Sequence, residues 1–213
     1  ESLCTPHIYD LNEYIGTGIH EMTICVSNVG YKTKGGHLTS PDTQTNWNGI
    51  TGRIELIGYK NAHAENVMLW CDIHNKTVRV TANITGGKSG KAVISAESFN
   101  SEKNHTPAVQ SFEYKDGKLD ALYKMGDDCL LWSEHEPNLY KLRIDIYGDV
   151  SEHIIGMREF RTEGGKFTIN GEKTFLRGKH DGMIFPKTAF APTDLEEWLR
   201  IMKISKSYGM NHY

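Results

Sequence analysis

Ten histidines, four cysteines and 27 acidic residues are the side chains of this 213-residue chain able to bind metal, exchange thiols or move protons. No two histidines form an H-x-H or H-x-x-x-H pair and no two cysteines a C-x-x-C pair. No metal site and no dithiol redox motif is therefore expected, and nothing calls for a cofactor. Cys25 and Cys71 sit in alternating apolar segments and read as buried free thiols. Pairing among Cys4, Cys25, Cys71 and Cys129 stays open among three connectivities. Glu134 and Glu136 flank a turn, and Glu196 and Glu197 open a helical pattern. Neither context raises a carboxyl pKa, so no catalytic pair is nominated and the catalytic set is left empty. Asn75, Asn83 and Asn104 head Asn-x-Ser/Thr sequons, and Asn83 lies inside a strand pattern that makes it a poor acceptor.

The elements that would position these groups are mostly strands. Residues 77–84 place Val78, Val80, Ala82 and Ile84 on one face. Residues 66–73 do the same with Val67, Leu69, Cys71 and Ile73, and 139–146 with Tyr140, Leu142, Ile144 and Ile146. Period-two alternation is what a half-buried antiparallel strand requires. The polar tripeptide His74-Asn75-Lys76 predicts a hairpin between the first two. Further strands are expected at 21–29, 51–59, 91–99, 107–115 and 153–161, separated by turn-rich segments such as 86–90 and 115–118. Gly164-Gly165 and Asn170-Gly171 read as hairpin turns, with Phe167 and Ile169 on one side of a short strand pair.

Residues 194–208 differ: Leu195, Trp198, Leu199 and Met202 repeat at helical spacing. Thr193 is the expected N-cap, with Glu196 completing a capping box, and Gly209 the expected stop. Three domains follow: 1–62, β-rich; 63–162, with the size and strand count of an immunoglobulin-like β-sandwich; and 163–213, strand-loop-helix. The chain opens at Glu1 without a signal peptide, so a cut or processed start is expected. It stops where a βα unit would begin its next strand, which points to a larger α/β domain.

Net charge is −3 and no apolar run approaches membrane-spanning length, which removes the electrostatic case for nucleic acid and the case for a membrane helix. Compartment stays open, with secretion or periplasmic placement compatible, and so does homo-oligomer formation.

Three motifs in order carry a resemblance. They are NWNGITGRIEL at 46–56, LWSEHEPNLYKLRIDI at 131–146 and GMREFRTEGGKFTINGEKTFLRGKHD at 156–181. The trio resembles glycoside hydrolase family 2, which includes β-galactosidases, β-glucuronidases and β-mannosidases. The resemblance implies a mainly β chain: the C-terminal part of a sugar-binding jelly-roll, an immunoglobulin-like β-sandwich, and the start of a catalytic (β/α)8 barrel. It also implies a retaining mechanism whose two glutamates come from later barrel strands, beyond Tyr213. The chain is then the non-catalytic N-terminal portion of an enzyme hydrolysing O-glycosidic bonds, with carbohydrate as the substrate of the full-length protein.

Two places are expected to touch sugar. Arg177, His180 and Asp181 follow the first barrel strand. There Lys179 and His180 stand where the family usually has Val and Asn. Asp42 and Asn46 lie on the polar loop 42–49, where Gln44 and Trp47 are weaker candidates. A carbohydrate-binding module and a structural immunoglobulin-like module are the rival readings. The inward alternation of the aromatics argues against the first, and the strand-loop-helix tail against the second.

Overall fold

Alternating apolar residues become strands only where a neighbouring strand accepts their backbone bonds, and among the described residues ten segments pair as strands. The computed structural model describes residues 6–27, 29, 49–50, 52–182, 185, 187–188 and 191–213. In chain order the strands are β1 (His63–Asp72), β2 (Thr77–Thr85), β3 (Ser89–Ser98), β4 (Gln110–Lys115) and β5 (Lys118–Lys124). They continue as β6 (Tyr140–Ile146), β7 (Asp149–Ile155), β8 (Phe160–Glu163), β9 (Lys166–Ile169) and β10 (Glu172–Lys173), and one helix, α1 (Leu195–Ser207), follows. The architecture is mainly β.

The chain divides into two compact units, one of residues 57–177 with His212, the other of 1–56, 178–211 and 213. In the first, seven antiparallel strands run in the order β1-β2-β5-β4-β3-β6-β7. The sheet is nearly closed: β1 and β7 come together, and no ladder joins them among the described residues. Between β4 and β5 the ladder shrinks to the pair Lys115–Lys118, so the sheet folds there and its halves share one core. Val78, Val80, Tyr123, Leu142 and Ile144 are each fully enclosed in it. A second sheet, β10-β9-β8, carries the rest.

Turn chemistry sets the registers. Asp116-Gly117, Tyr147-Gly148, Gly164-Gly165 and Asn170-Gly171 all have positive φ at both positions, the geometry of a two-residue hairpin matched to strand twist. Tyr147 is the unexpected member. Gly148 N donates to Asp145 Oδ1 at 2.7 Å, and the Tyr147 hydroxyl lies so close to Gly90 that an added Cβ there would sit 2.3 Å from it. In β1 the register slips between Glu65 and Met68, with Asn66 at φ 50°, which marks a β-bulge.

The hairpin between β1 and β2 and the inward faces of β2 and β6 match the sequence pattern. Other expectations are corrected. Residues 21–27 and 52–59 are not strands; Met22, Ile24, Val26, Ile54 and Leu56 are exposed, and Cys25 with them. Their alternation finds no pairing strand among the described residues. The segment 153–161 is split by Gly156–Glu159, where only Met157 makes a bridge, to Leu131. β5 was not foreseen, although Leu119, Ala121 and Tyr123 alternate inward.

The other unit contains α1. Its N-cap is Asp194, not Thr193: Asp194 is extended, and its Oδ1 accepts from Glu197 N at 2.8 Å. A carboxylate at the positive end of the helix dipole wins over the neighbouring hydroxyl. At the other end Gly209 has φ 77°, with Gly209 N bonded to Lys206 O and Met210 N to Ser205 O, a Schellman stop. No residue of α1 is buried.

Candidate functional site

The third sequence motif folds onto the second. Asn170, the first residue of the β9–β10 turn, donates from Nδ2 to Trp132 O at 2.9 Å and accepts on Oδ1 from Glu159 N at 2.8 Å. Its own N–H reaches Glu159 O at 2.9 Å. The Arg158 guanidinium lies 4.5 Å from the Trp132 ring centroid, and Arg161 pairs with Glu159 at 2.6 Å. Trp132 and Pro137 form an isolated bridge around the turn 133–136. These contacts tie the third motif to the second.

Beside them a cavity of about 330 Å³ opens along the seam between β1 and β7. Leu69 and Cys71 of β1, Ile154 of β7, and Trp132, Gly156 and Arg158 line it. One guanidinium among apolar walls gives a sugar ring few hydrogen-bond partners.

Of the expected sugar contacts, Arg177 is engaged: its Nη2 reaches Glu134 Oε1 at 2.5 Å and its Nη1 reaches Phe175 O at 3.2 Å. In the other unit, His180 is exposed. Asp181 is the best-enclosed of the group, its side chain 11% exposed. Its Oδ2 accepts from Lys179 Nζ at 2.9 Å and from the Tyr213 hydroxyl. The hydrogen bond to Asp181, reinforced by Tyr213, holds Lys179 above its ordinary pKa. Burial, then the contact with Asp181, raises Tyr213. Lys179 also stands 4.8 Å from the Tyr213 ring centroid.

Tyr213 meets Trp198 edge-on at 6.1 Å, and Trp198 meets Phe185 in the same manner at 6.1 Å. The Trp198 indole N–H donates to Pro192 O at 2.8 Å. A carboxylate, an ammonium group and three aromatic rings thus gather in one unit. Such a set can hold sugar hydroxyls over an apolar platform. Tyr213 and Trp198 were not singled out as sugar contacts; Trp198 read as a helix-packing residue, and nothing linked Tyr213 to Asp181 across 32 residues. Asp42 and Asn46, with Gln44 and Trp47, lie outside the described residues.

Acid–base chemistry needs a carboxyl raised toward neutrality. The displaced carboxyls here move the other way. Backbone and side-chain bonds from Asn75 lower Asp72, Arg79 lowers Asp120, and Arg200 lowers Glu197. Among the described residues no cluster of three metal-type ligands occurs.

The chain is similar to known proteins over most of its length. The family model for "Glycosyl hydrolases family 2" matches residues 62–158. A β-galactosidase of Halalkalibacterium halodurans is 24% identical over 99% of this chain and 21% of its own length. A putative β-glucuronidase of Formosa agariphila is 30% identical over 51% of this chain and 12% of its own. The solved β-galacturonidase of Eisenbergiella tayi, bound to galacturonate, superposes with a TM-score of 0.54 at 18% identity, covering 82% of this chain and 32% of that one. A β-glucuronidase from Parabacteroides merdae superposes at 0.52 and 19% identity, over 71% and 21%. These likenesses establish the fold. The chain is similar to glycosyl hydrolases family 2, over residues 62–158 by the family model and over nearly its whole length by a β-galactosidase. It spans about a fifth of the length of the curated β-galactosidases it matches first.

Proposed function

We propose that the chain is the non-catalytic N-terminal portion of a retaining, β-galactosidase-like glycoside hydrolase that cleaves O-glycosidic bonds in carbohydrate metabolism. The observation that carries the reading is coverage: 99% of this chain aligns with one 21% stretch of a β-galactosidase. In this reading residues 1–62 are the tail of a sugar-binding jelly-roll, 63–162 an immunoglobulin-like sandwich, and 163–213 the first strand and helix of a (β/α)8 barrel. Strand order supports the middle assignment. β1-β2-β5 and β4-β3-β6-β7 follow the two sheets of an immunoglobulin domain, with β4 as the added edge strand.

The two glutamates of a retaining enzyme stand about 5 Å apart across the anomeric carbon, and in this reading later barrel strands supply them. The chain's own residues shape the rim: Asp181, Arg177 and His180 from one loop, Asp42 and Asn46 from another. Asp181, fixed by Lys179 and Tyr213, accepts a sugar hydroxyl without having to be ordered first.

The test compares this chain alone with the same chain joined to the following stretch of its reading frame. The substrates are chromogenic β-galactosides, β-glucuronides and β-mannosides. Turnover is expected only from the joined protein, with KM raised about tenfold by Asp181→Asn, the effect of one lost charge-assisted hydrogen bond. Turnover by the repurified chain alone would overturn the reading.

A further inference from the structure

Four cysteines allow three pairings by sequence, and the fold separates them. Cys25 is exposed on irregular chain. Cys71 and Cys129 instead pack on the same core, one from β1, the other from the connection between β5 and β6.

That connection is anchored near Cys71 at both ends. Met125 N donates to Lys76 O at 2.8 Å and Lys76 Nζ to Asp127 O at 2.5 Å, so it leaves β5 against the β1–β2 hairpin. Cys129 N then donates to Gly126 O, and Leu130 N to the Tyr140 hydroxyl at 2.8 Å. Next, Leu131 bridges Met157, and Trp132 N donates to Met157 O at 2.9 Å. Trp132 and Cys71 line the same seam cavity. Cys129 is thus fixed in the segment that crosses the open end of the sheet, on the side where Cys71 points inward. The two thiols are near enough for a charge on Cys129 to act on Cys71.

We infer that Cys71 and Cys129 are an intrachain disulfide pair, joined when the folded chain meets a small disulfide oxidant, and that the bond staples edge strand β1 across the seam. The cavity lets the oxidant reach Cys71. The Cys71 thiolate attacks one oxidant sulfur and expels a thiolate. Cys129 then attacks Cys71 Sγ and expels the second. The two cysteine protons end on the two expelled thiolates, and the two electrons reduce the oxidant disulfide to two thiols. Cys129 gives up its contact with the Tyr140 hydroxyl. That hydroxyl keeps Leu130 N and His105 Nδ1, the latter at 2.7 Å.

Burial, with Cys129 adding to it, pushes the Cys71 thiol up to about 11. Pairing is therefore slow at neutral pH, and its rate rises about tenfold per pH unit up to pH 9, following the thiolate fraction. The bond closes a loop running through β2 to β5, so the oxidised chain should melt higher, by on the order of 10 °C.

The experiment incubates the full chain with oxidised glutathione at pH 8.5, alkylates remaining thiols in denaturant, and maps the peptides by mass. The expected result is one linked pair carrying Cys71 and Cys129, with a raised Tm that dithiothreitol reverses. Cys129→Ser should leave Cys71 as a glutathione adduct with no rise in Tm. The wild-type map decides alone should that variant not fold. All four thiols alkylated, separate glutathione adducts on Cys71 and Cys129, or Cys4–Cys25 as the only linked pair would each overturn the inference.

Discussion

Strand β2 and helix α1 carry equally regular apolar patterns and meet opposite fates. In β2, Val78 and Val80 are fully enclosed, and Ala82 and Ile84 are 6% exposed. In α1, Leu195 is 70% exposed, Leu199 39% and Met202 38%. Period and caps suffice to make the element, because hydrogen bonds and capping are local. Burial needs a second surface: β2 has one across the shared core of the folded sheet, whereas in the stripe of α1 Leu195, Leu199 and Met202 stay exposed and, among the described residues, only Trp198 packs on other rings, those of Phe185 and Tyr213. A periodic pattern therefore states what a segment becomes, and says less about what it rests on.

That contrast can be broken by substitution. Val80→Asp places a charge without partner at the centre of the core and should cost more than about 3 kcal/mol, unfolding the strands of residues 57–177. Loss of the far-ultraviolet β signal at ambient temperature reads this out, and a parent-like melt would refute the assignment of faces. Next in size is Asn170→Ala, which loses the positive-φ turn and both side-chain bonds, to Trp132 O and from Glu159 N, for about 2 kcal/mol. Asn170→Gly keeps the turn and should recover part of it in urea titrations.

A pH effect sharpens the comparison from the core side. Cys71 titrates at about 11 when folded, against 9.0 as the ordinary thiol value. The folded pKa is the higher one, so its stabilisation is complete below pH 9 and is lost as pH rises through 11. The reduced wild type should lose on the order of 1 kcal/mol more than Cys71→Ala across that window, measured by urea midpoints. The smallest effect belongs to α1: Leu199→Asp should shift stability by less than about 0.5 kcal/mol. Its amides should exchange faster than those of β2, and equal protection would reveal a covering partner.

Most of the core was legible because strands with one wet face alternate cleanly, as in β2 and β6. The pattern misled at 21–29 and 51–59, where apolar alternation occurs without a ladder among the described residues. β5 escaped notice because it begins directly at the Asp116-Gly117 turn. The Asn170-Gly171 turn was legible as a turn, but its clasp on Trp132 spans 38 residues and left no local signal. The same holds at the candidate site: Asp181 could be named from its motif, whereas Tyr213 and Trp198 are joined to it only by folding.

The bulge in β1 bears on how copies of this chain treat one another. A nearly closed sheet still has two open rims, and an open rim is a template for fibrous stacking. Along β1 the register slips between Glu65 and Met68, so an incoming straight strand can stay in step only over Met68–Asp72. The Asp72 carboxylate at the end of that stretch already receives Asn75 and His74. Rim β7 carries Asp149 and Glu152, which burden an approaching copy with charge. One inserted residue and a few charges thus act as a guard against self-templating, leaving the rims short and crooked where a flat ribbon would invite growth.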